Sequence, residues 1–455
     1  WLHAVRSQLL EPFGRSNGGP VVGVQLGNEG CYGEIHLPLD RQDAGAPALA
    51  AFGRWLGEEP AAEQIQADPR LAAAWAQWCG VDIAEHWRWL SEQFPAELVR
   101  VVNVPFAAPD QPAALAGWGA RQPALREAAA GFGHTEWIGN ASRQPAVLAA
   151  HCFQQLLNGS DVVEANWGFT WQDATFADPA TPLFHSLLAL LLGSHTCSVY
   201  TACATRNWGE QIDLDADGLR GEGLDPALYG PPYCPGAPLT EDGPAGPNRA
   251  ALATLAELLQ RHGALLLRSE LIVHGTVELD PAACYADDRL LGRLLGAFGD
   301  SLFDGSAVIV PVLAGRPGPE PAAPSPSVAV HQGSAERAAE LVRALPVDAG
   351  RSRWQPVTGR PAVLVRQDRD GHELAGIFNP HDGAVTVRRQ GAEPVTVTVP
   401  PHSALLVVCR DGRPADVACA VPAGPAAATL RFAGTDHRFA AGCRLESLAD
   451  DPVPA

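Results

Sequence analysis

The sequence predicts an α/β fold, built on a parallel sheet whose strands are joined by helices. Short apolar strands alternate with amphipathic helices over the first 205 residues, and each strand ends in polar or aromatic residues. Repetition of strand and helix is typical of parallel sheets with helical crossovers. Eight such units would close a (β/α)8 TIM barrel, which carries its functional site at the carboxyl ends of the strands.

Five strands are predicted in this part of the chain. A helix from about Leu2 to Phe13 precedes the first strand, Val21–Leu26, and a Trp-rich helical region separates it from the second, around Val99–Pro105. The other three lie at the following segments: Gly133–Asn140, Ser160–Trp171 and His195–Gly209. Since five strands do not close an eight-stranded barrel, we expect them to be strands 4–8, with the first three units upstream of residue 1.

The rest of the chain is predicted to form two further regions. Residues 263–327 have a mixed α/β pattern that ends in the Pro-rich linker Gly315–Ser327. Residues 328–455 contain an α/β segment and, from about Arg353, alternating strands separated by turn signals such as DG and NPHDG. We therefore predict three domains: an N-terminally truncated barrel over 1–262, the mixed region, and a small antiparallel β-sandwich-like domain at the C-terminus.

Composition disfavours several classes of function. The 51 acidic residues outnumber the 32 basic ones and give a net charge of −19, which disfavours binding to nucleic acid or to an anionic membrane. The longest apolar stretch, Leu187–Gly193, is far shorter than the roughly 20 residues of a membrane-spanning helix. The ten cysteines form neither a CxxC motif nor a paired Cys/His zinc spacing. Oligomeric state and compartment stay open, with the cytoplasm favoured over secretion.

Three glutamates lie at predicted strand ends: Glu29 in QLGNEG, Glu136 in GHTEWIGN and Glu164 in VVEANWGF. Glycoside hydrolysis needs two carboxyl groups beside the anomeric carbon, one to protonate the leaving oxygen and one to attack or to activate water. Trp137 and Trp167 follow two of these glutamates closely, and an aromatic ring beside acids suits a pyranose. The pattern therefore indicates a site that cleaves sugars.

Several motifs resemble those of glycoside hydrolase family 35 β-galactosidases, over roughly residues 1–262. GGPVVGVQLGNEGCYGE, Gly18–Glu34, is similar to that family's strand-4 motif, with its GGP turn, apolar strand and Asn-Glu pair. VVEANWGFTW and SVYTACATRNWG then follow in the family's order, and CPGAPLTEDG is similar to its APL element. The long helical insert and the small β tail are similar to family 42 β-galactosidases, so the chain resembles a divergent relative of both.

The resemblance implies a retaining β-galactosidase that removes terminal, non-reducing β-galactosides by a two-glutamate double displacement. Carried over by position, Glu29 is the general acid/base and Glu164 the nucleophile. The residues implied around the sugar are Asn28, Asn103, Glu136, Trp137, Trp167 and Tyr200. The resemblance implies no metal and no organic cofactor. It implies that the molecule bound is a substrate, a β-galactoside or a related oligosaccharide.

Departures from the family pattern leave alternatives open. Gly27 stands where the family has an acidic residue, and Ala165 stands where an aromatic residue is common. The strand count favours Glu164 over Glu136 as nucleophile, with Glu136 then a ligand of a sugar hydroxyl. The alternatives are a β-glycosidase for another sugar and a carbohydrate-binding barrel that has lost its chemistry. Since an incomplete barrel leaves unpaired edges, we expect residues 1–455 alone to be inactive or unstable.

Overall fold

The structure is a computed structural model, which describes most of the sequence. The described residues are 1–29, 45–107, 112–128, 131–136, 138–159, 161–170, 173–205, 216–221, 223, 233–287, 289–304, 307–313, 327–330, 339–340, 342–343 and 353–448. None of the helices in these ranges combines the length and apolar character that crossing a membrane requires.

A parallel sheet of five strands forms the first part of the fold. Its strands are β1 Gly23–Gln25, β2 Val99–Pro105, β3 Gly131–Thr135, β4 Asp161–Asn166 and β5 Cys197–Tyr200. They pair in chain order, and every neighbouring pair is parallel. The carboxyl ends of all five strands therefore meet along one edge, where an α/β fold collects its functional side chains.

Helices connect these strands and cover one face of the sheet. The chain starts with α1 Leu2–Val5, a π-helical turn Arg6–Leu10 and α2 Glu11–Phe13. The later helices are α3 Ala46–Leu56, α4 Ala62–Ala67, α5 Pro69–Glu92, α6 Pro112–Glu127, α7 Pro145–Asn158, α8 Ala180–Leu191, α9 Ala216–Gly221 and α10 Arg249–Arg268. Val102, Val104 and Val162 point from the strands into this layer and are fully buried in the main core.

The register of the strands decides which residues share the face that points away from the helices. Gln25 pairs with Val101, and Asn103 pairs with Gly133, so these positions lie on a common face. Between β3 and β4 the register shifts, because His134 pairs with Val162 but Thr135 pairs with Glu164. The extra residue, Val163, is a β-bulge.

The bulge brings Glu164 to the face of Asn103. By plain alternation from Asp161, a residue three positions later would point towards the helices. Gly133 makes room for the extra residue, since a Cβ at this position would lie 2.2 Å from Val163 Cγ1. A side chain at residue 133 is therefore incompatible with the bulge.

A smaller parallel sheet follows α10 and the two-residue strand β6 Glu270–Leu271. It consists of β7 Gly275–Leu279, β8 Ile309–Leu313 and β9 Ser327–Val330 in the order β8-β7-β9. The helices α11 Pro281–Ala286 and α12 Leu290–Asp304 lie between its first two strands in the chain. Of the predicted Pro-rich linker Gly315–Ser327, the structure describes only Ser327, which is the first residue of β9.

The C-terminal region contains two antiparallel sheets. Their strands are β10 Trp354–Thr358, β11 Ala362–Gln367, β12 Glu373–Asn379, β13 Val385–Arg389, β14 Val395–Val399, β15 Ser403–Arg410, β16 Arg413–Val421, β17 Ala427–Phe432, β18 Thr435–Ala440 and β19 Gly442–Ser447. The order is β10-β13-β14-β17-β18 in one sheet and β19-β16-β15-β12-β11-β6 in the other. Alternate valines of β13 and β14 are buried between the sheets, as in a β-sandwich.

The six-stranded sheet of this sandwich packs against α8. The rings of Phe184 and Phe378 meet edge to face with centroids 5.1 Å apart, and both side chains are fully buried. Arg366 adds a buried polar contact, because its guanidinium donates to the carbonyl of Leu191 at the end of α8. One hydrophobic core therefore continues from the parallel sheet into the sandwich.

The predicted α/β class, with a parallel sheet and an antiparallel β region after it, is confirmed. In the part of the chain that the structure describes, the parallel sheet is an open half-barrel and no closed eight-stranded barrel is seen. Helix α10 runs past the predicted domain boundary at residue 262, and β6 pairs with β11 of the sandwich.

Candidate active site

The turn after β1 carries Asn28 and Glu29. Gly27 has φ +82°, in the left-handed region that glycine adopts at little cost. Glu29 has φ +50°, a conformation that costs a residue with a side chain about 1–3 kcal/mol and persists only where neighbouring contacts hold it. The Glu29 N–H donates to Asn103 Oδ1 over 2.7 Å, and this contact supplies such a restraint.

Asn103, on β2, is the centre of the polar cluster at this edge of the sheet. Its side chain is 2% exposed. Asn103 Nδ2 lies 3.0 Å from Asn28 Oδ1 and 3.3 Å from Glu164 Oε2, and it also lies 3.4 Å from Thr135 Oγ1. Asn103 Oδ1 accepts from Gln25 Nε2 as well as from the Glu29 N–H. One carboxamide therefore links the ends of β1, β3 and β4.

Glu164 joins this cluster because of the bulge in β4. Its carboxylate is partly exposed, and Asn103 donates to it over 3.3 Å. Glu29 is also partly exposed, whereas Asn28 is exposed. The two glutamates that the sequence predicts as catalytic are thus hydrogen-bonded to the same buried amide, Glu29 through its backbone N–H and Glu164 through its carboxylate.

An aromatic cluster lies beside Glu164 at the end of β5. Phe169 stacks on Tyr200 with centroids 5.6 Å apart, and it meets Tyr233 edge to face at 4.5 Å. Asn166 holds Phe169 in place, since its Oδ1 accepts from the Phe169 N–H and its Nδ2 donates to the Phe169 carbonyl. The strand end NWGF therefore folds back so that an aromatic ring meets the predicted site residue Tyr200.

The hydroxyls of Tyr200 and Tyr233 lie 3.2 Å apart. Burial raises the pKa of Tyr233, and the neighbouring Tyr200 hydroxyl and the charge of Glu164 raise it further. Tyr233 therefore stays a neutral phenol over the whole range in which proteins work, and it acts here as a hydrogen-bonding group. The charge effect also shows that Tyr233 lies within electrostatic reach of Glu164.

Glu136 lies on the opposite face of the sheet from this cluster. Thr135 points towards Asn103, and the next residue turns to the helices. The Glu136 side chain is 2% exposed, and its Oε1 lies 3.3 Å from His151 Nε2 on α7. Burial raises the pKa of Glu136 to about 8. The backbones of Glu136 and Glu164 are hydrogen-bonded, since the Glu136 N–H donates to the Glu164 carbonyl. Their carboxyl groups, however, lie on opposite faces of the sheet.

Of the two tryptophans in the predicted set, only Trp167 is among the described residues. Trp137 lies outside the described residues. Trp167 has a fully buried side chain in the main hydrophobic core, and its carbonyl accepts from Asn248 Nδ2 over 2.8 Å. Its ring presents no exposed face on which a sugar could stack.

Sequence reasoning missed several members of the site: Gln25, Thr135, Phe169 and Tyr233. Gln25 and Thr135 could have been found by alternation, because they lie on the same strand face as Asn103. Tyr233 belongs to the Pro-rich segment GLDPALYGPPYCPG. An isolated bridge between Thr205 and Tyr233 places Tyr233 at the strand edge, and no local pattern predicts such a bridge.

The arrangement combines two carboxyl groups, three carboxamides and a pair of tyrosines around one strand edge. Carboxylates can give or accept protons and can attack a carbon, while amides and phenols bind hydroxyl groups. Aromatic faces accept apolar C–H surfaces. Such a set suits a polyhydroxylated neutral ligand.

No family model matches the chain, and no curated protein does. Among solved structures, the chain is similar to the β-galactosidase of psychrophilic Marinomonas ef1, at 11% identity and TM-score 0.38, over 60% of this chain and 47% of that one. It is also similar to the cold-adapted β-galactosidase of Rahnella sp. R3, at 10% identity and TM-score 0.45, over 96% of this chain and 80% of that one.

A third similar structure is the β-galactosidase of the Antarctic haloarchaeon Halorubrum lacusprofundi, at 13% identity and TM-score 0.46, over 92% of this chain and 67% of that one. The chain thus spans less than half of the Marinomonas protein. Because all three TM-scores are below 0.5, these likenesses carry no argument about function, which rests on the site itself.

Proposed function

We propose that the protein is a retaining β-glycosidase that acts on terminal β-galactosides. In this proposal Glu29 is the general acid/base and Glu164 is the nucleophile. The observation that carries the proposal is the Asn103 carboxamide, which accepts from the Glu29 backbone and donates to the Glu164 carboxylate. Two acids from strands that are far apart in the sequence thereby border a single strand edge.

Double displacement assigns a task to each acid. Glu164 attacks the anomeric carbon and forms a glycosyl–enzyme ester, while Glu29 protonates the leaving oxygen. Glu29 then takes a proton from water, which attacks the same carbon and releases Glu164. Retaining enzymes hold the two carboxyl groups about 5–5.5 Å apart, so the Glu29 side chain is expected to point from its turn towards Glu164 when the sugar is bound.

The neighbouring polar groups suit sugar binding. Asn28, which is exposed and accepts from Asn103, can turn its amide to a sugar hydroxyl. Tyr200 and Tyr233 offer phenol groups beside Glu164, and Phe169 holds the Tyr200 ring by stacking. The galactose preference follows the sequence resemblance, and the alternative is the same chemistry on another β-glycoside.

The test is hydrolysis of 4-nitrophenyl β-D-galactoside by the full-length protein and its variants. Glu29→Gln and Glu164→Gln should each lower kcat/KM by more than about 10³-fold, because each removes one of the two groups that the mechanism needs. Glu92→Gln, an exposed glutamate at the end of α5, is the matched control and should leave kcat/KM unchanged. Near wild-type activity of either site variant would overturn its assignment.

A panel of nitrophenyl β-glucoside, β-mannoside, β-fucoside and α-arabinoside decides the sugar. A higher kcat/KM for one of these than for the galactoside would keep the reaction and replace the substrate. No hydrolysis of any of them, together with measurable binding of galactose, would instead support a carbohydrate-binding protein without catalysis.

A further inference from the structure

A second cluster of functional groups lies buried behind the candidate active site. His134 of β3, Glu136 just after β3 and His151 of α7 converge between the sheet and the helices, and all three are at most 2% exposed. One ligand atom from each of the three lies within 4.8 Å of the other two. The proposed glycosidase mechanism uses none of these groups.

We propose that His134, Glu136 and His151 bind a divalent zinc ion. A set of two imidazoles and one carboxylate selects zinc over magnesium and calcium, because magnesium and calcium favour oxygen ligands alone. Glu136 Oε1 and His151 Nε2 lie 3.3 Å apart, which matches the separation of two ligand atoms bonded to one tetrahedral ion at about 2.0–2.1 Å. The ligand atoms of all three residues lie within 4.8 Å of one another.

The carboxyl group of Glu136 provides the second, independent observation. In the part of the chain that the structure describes, neither of its buried oxygens accepts a hydrogen bond, although Oε1 lies 3.3 Å from His151 Nε2. Leaving a buried polar group without a partner is unfavourable, and more so if the group is charged, so native proteins satisfy nearly all of them. A cation bound to Glu136 would satisfy its oxygens.

Gln155 offers a fourth donor from the next turn of α7. Its Nε2 donates to the carbonyl of Ala189 over 3.0 Å, which fixes the orientation of the amide and directs Oε1 to His151 Nε2, also at 3.0 Å. A zinc ion at this nitrogen would therefore have an amide oxygen beside it. The two imidazoles are suitable ligands, since an imidazole nitrogen is a common zinc ligand in proteins.

The experiment measures zinc in the full-length protein. The protein is stripped with a chelator, incubated with zinc sulfate, dialysed, and analysed by mass spectrometry of the metal and by X-ray absorption at the zinc edge. We expect about one zinc per chain, with nitrogen and oxygen ligands at about 2.0–2.1 Å and no sulfur. Cobalt in place of zinc should give the visible absorption bands of a four-coordinate site.

Three variants complete the test. Glu136→Gln and His151→Gln should each weaken zinc binding by more than about 10-fold, while His185→Asn should leave it unchanged, although its buried ring lies 6.4 Å from that of His151. Zinc below a tenth of an ion per chain in the wild type would overturn the proposal, as would sulfur ligands or equal binding by Glu136→Gln. The wild-type measurements decide the question even if a variant fails to fold.

Discussion

Asn103 Nδ2 donates to Glu164 Oε2 over 3.3 Å, and this contact joins two strands that are separated by β3. The same carboxamide accepts from the Glu29 backbone. Because Asn103 is 2% exposed, its orientation is set by these partners and not by solvent. The positions of both candidate catalytic glutamates therefore depend on one buried side chain.

Asn103→Ala should lower kcat/KM for a nitrophenyl galactoside by about 10–10³-fold, because an acid displaced by even a fraction of an ångström loses its alignment with the substrate. It should also lower the free energy of unfolding by about 1–3 kcal/mol, since the Glu29 N–H and the other partners lose their hydrogen bonds. Steady-state kinetics and urea denaturation measure the two effects.

Asn158→Ala is the matched control for this variant. Asn158 is equally buried, and it donates to Gln122 at a distance from the site. It should lose a similar free energy of unfolding with no change in kcat/KM. Equal losses of activity in both variants would mean that Asn103 acts only through stability.

Rescue by azide should separate the roles of the glutamates. In Glu164→Gly, azide enters the space of the missing carboxylate and attacks the anomeric carbon of an activated aryl β-galactoside, which gives the α-galactosyl azide. In Glu29→Gly, Glu164 still forms the glycosyl–enzyme, and azide then replaces water to give the β-galactosyl azide. Proton NMR of the products reads the anomeric configuration.

The competing assignment makes Glu136 the nucleophile. It would be favoured if Glu136→Gly, and not Glu164→Gly, gave the α-azide. The buried location of Glu136 on the helix side leads us to expect no azide product from that variant.

The free energy of unfolding should decrease at low pH because Asp368, in the β11–β12 hairpin, becomes protonated. Burial alone would raise its pKa, but hydrogen bonds from His372 and Arg268 outweigh this effect and hold the pKa well below its usual range. The folded state therefore binds this proton more weakly than the unfolded state. The contribution of Asp368 is complete above about pH 4 and is lost as the pH falls below that value.

Asp368→Asn should consequently lower the free energy of unfolding by about 1–3 kcal/mol at pH 7. Its difference from the wild type should shrink when the pH is lowered from 4 to 2. Urea denaturation at several pH values gives both numbers. Asp370→Asn, an exposed carboxylate in the same turn, should show neither effect.

The contact between Phe184 and Phe378 should hold the parallel sheet and the sandwich together. Phe184→Ala and Phe378→Ala should each cost about 3–5 kcal/mol, the usual loss for a buried Phe, and the two losses should not be additive because the rings touch. Leu259→Ala, on the exposed side of α10, should change the free energy of unfolding by less than about 0.5 kcal/mol. Two separate unfolding transitions in the wild type would contradict a shared core.

The sequence was sufficient to predict the parallel order of the strands and the strand ends that carry Glu29, Asn103 and Glu164. Apolar runs that stop at polar residues carry this information locally. The sequence was not sufficient to predict on which face of the sheet the Glu136 side chain lies, because this face depends on which residue is the last of β3. The sandwich pattern was visible from its alternating valines and its turns.

Two features had no local signal. Tyr233 follows Tyr200 by 33 residues in the sequence, and no local pattern predicts that their hydroxyls meet. His151 lies on α7, fifteen residues after Glu136, and its neighbours are uniformly apolar or amide side chains. Only the packing of α7 on the sheet brings this imidazole to Glu136, which is why sequence spacing predicted no metal site.

The bulge at Val163 also has an evolutionary consequence. Deleting this residue, or inserting one more, would restore regular alternation and would leave Glu164 on the same side as Asp161. A change of one residue in the length of β4 at this point, in either direction, is therefore compatible with the face on which Glu164 lies. A relative without the extra residue would also be released from the requirement for glycine at position 133, so the two changes should occur together.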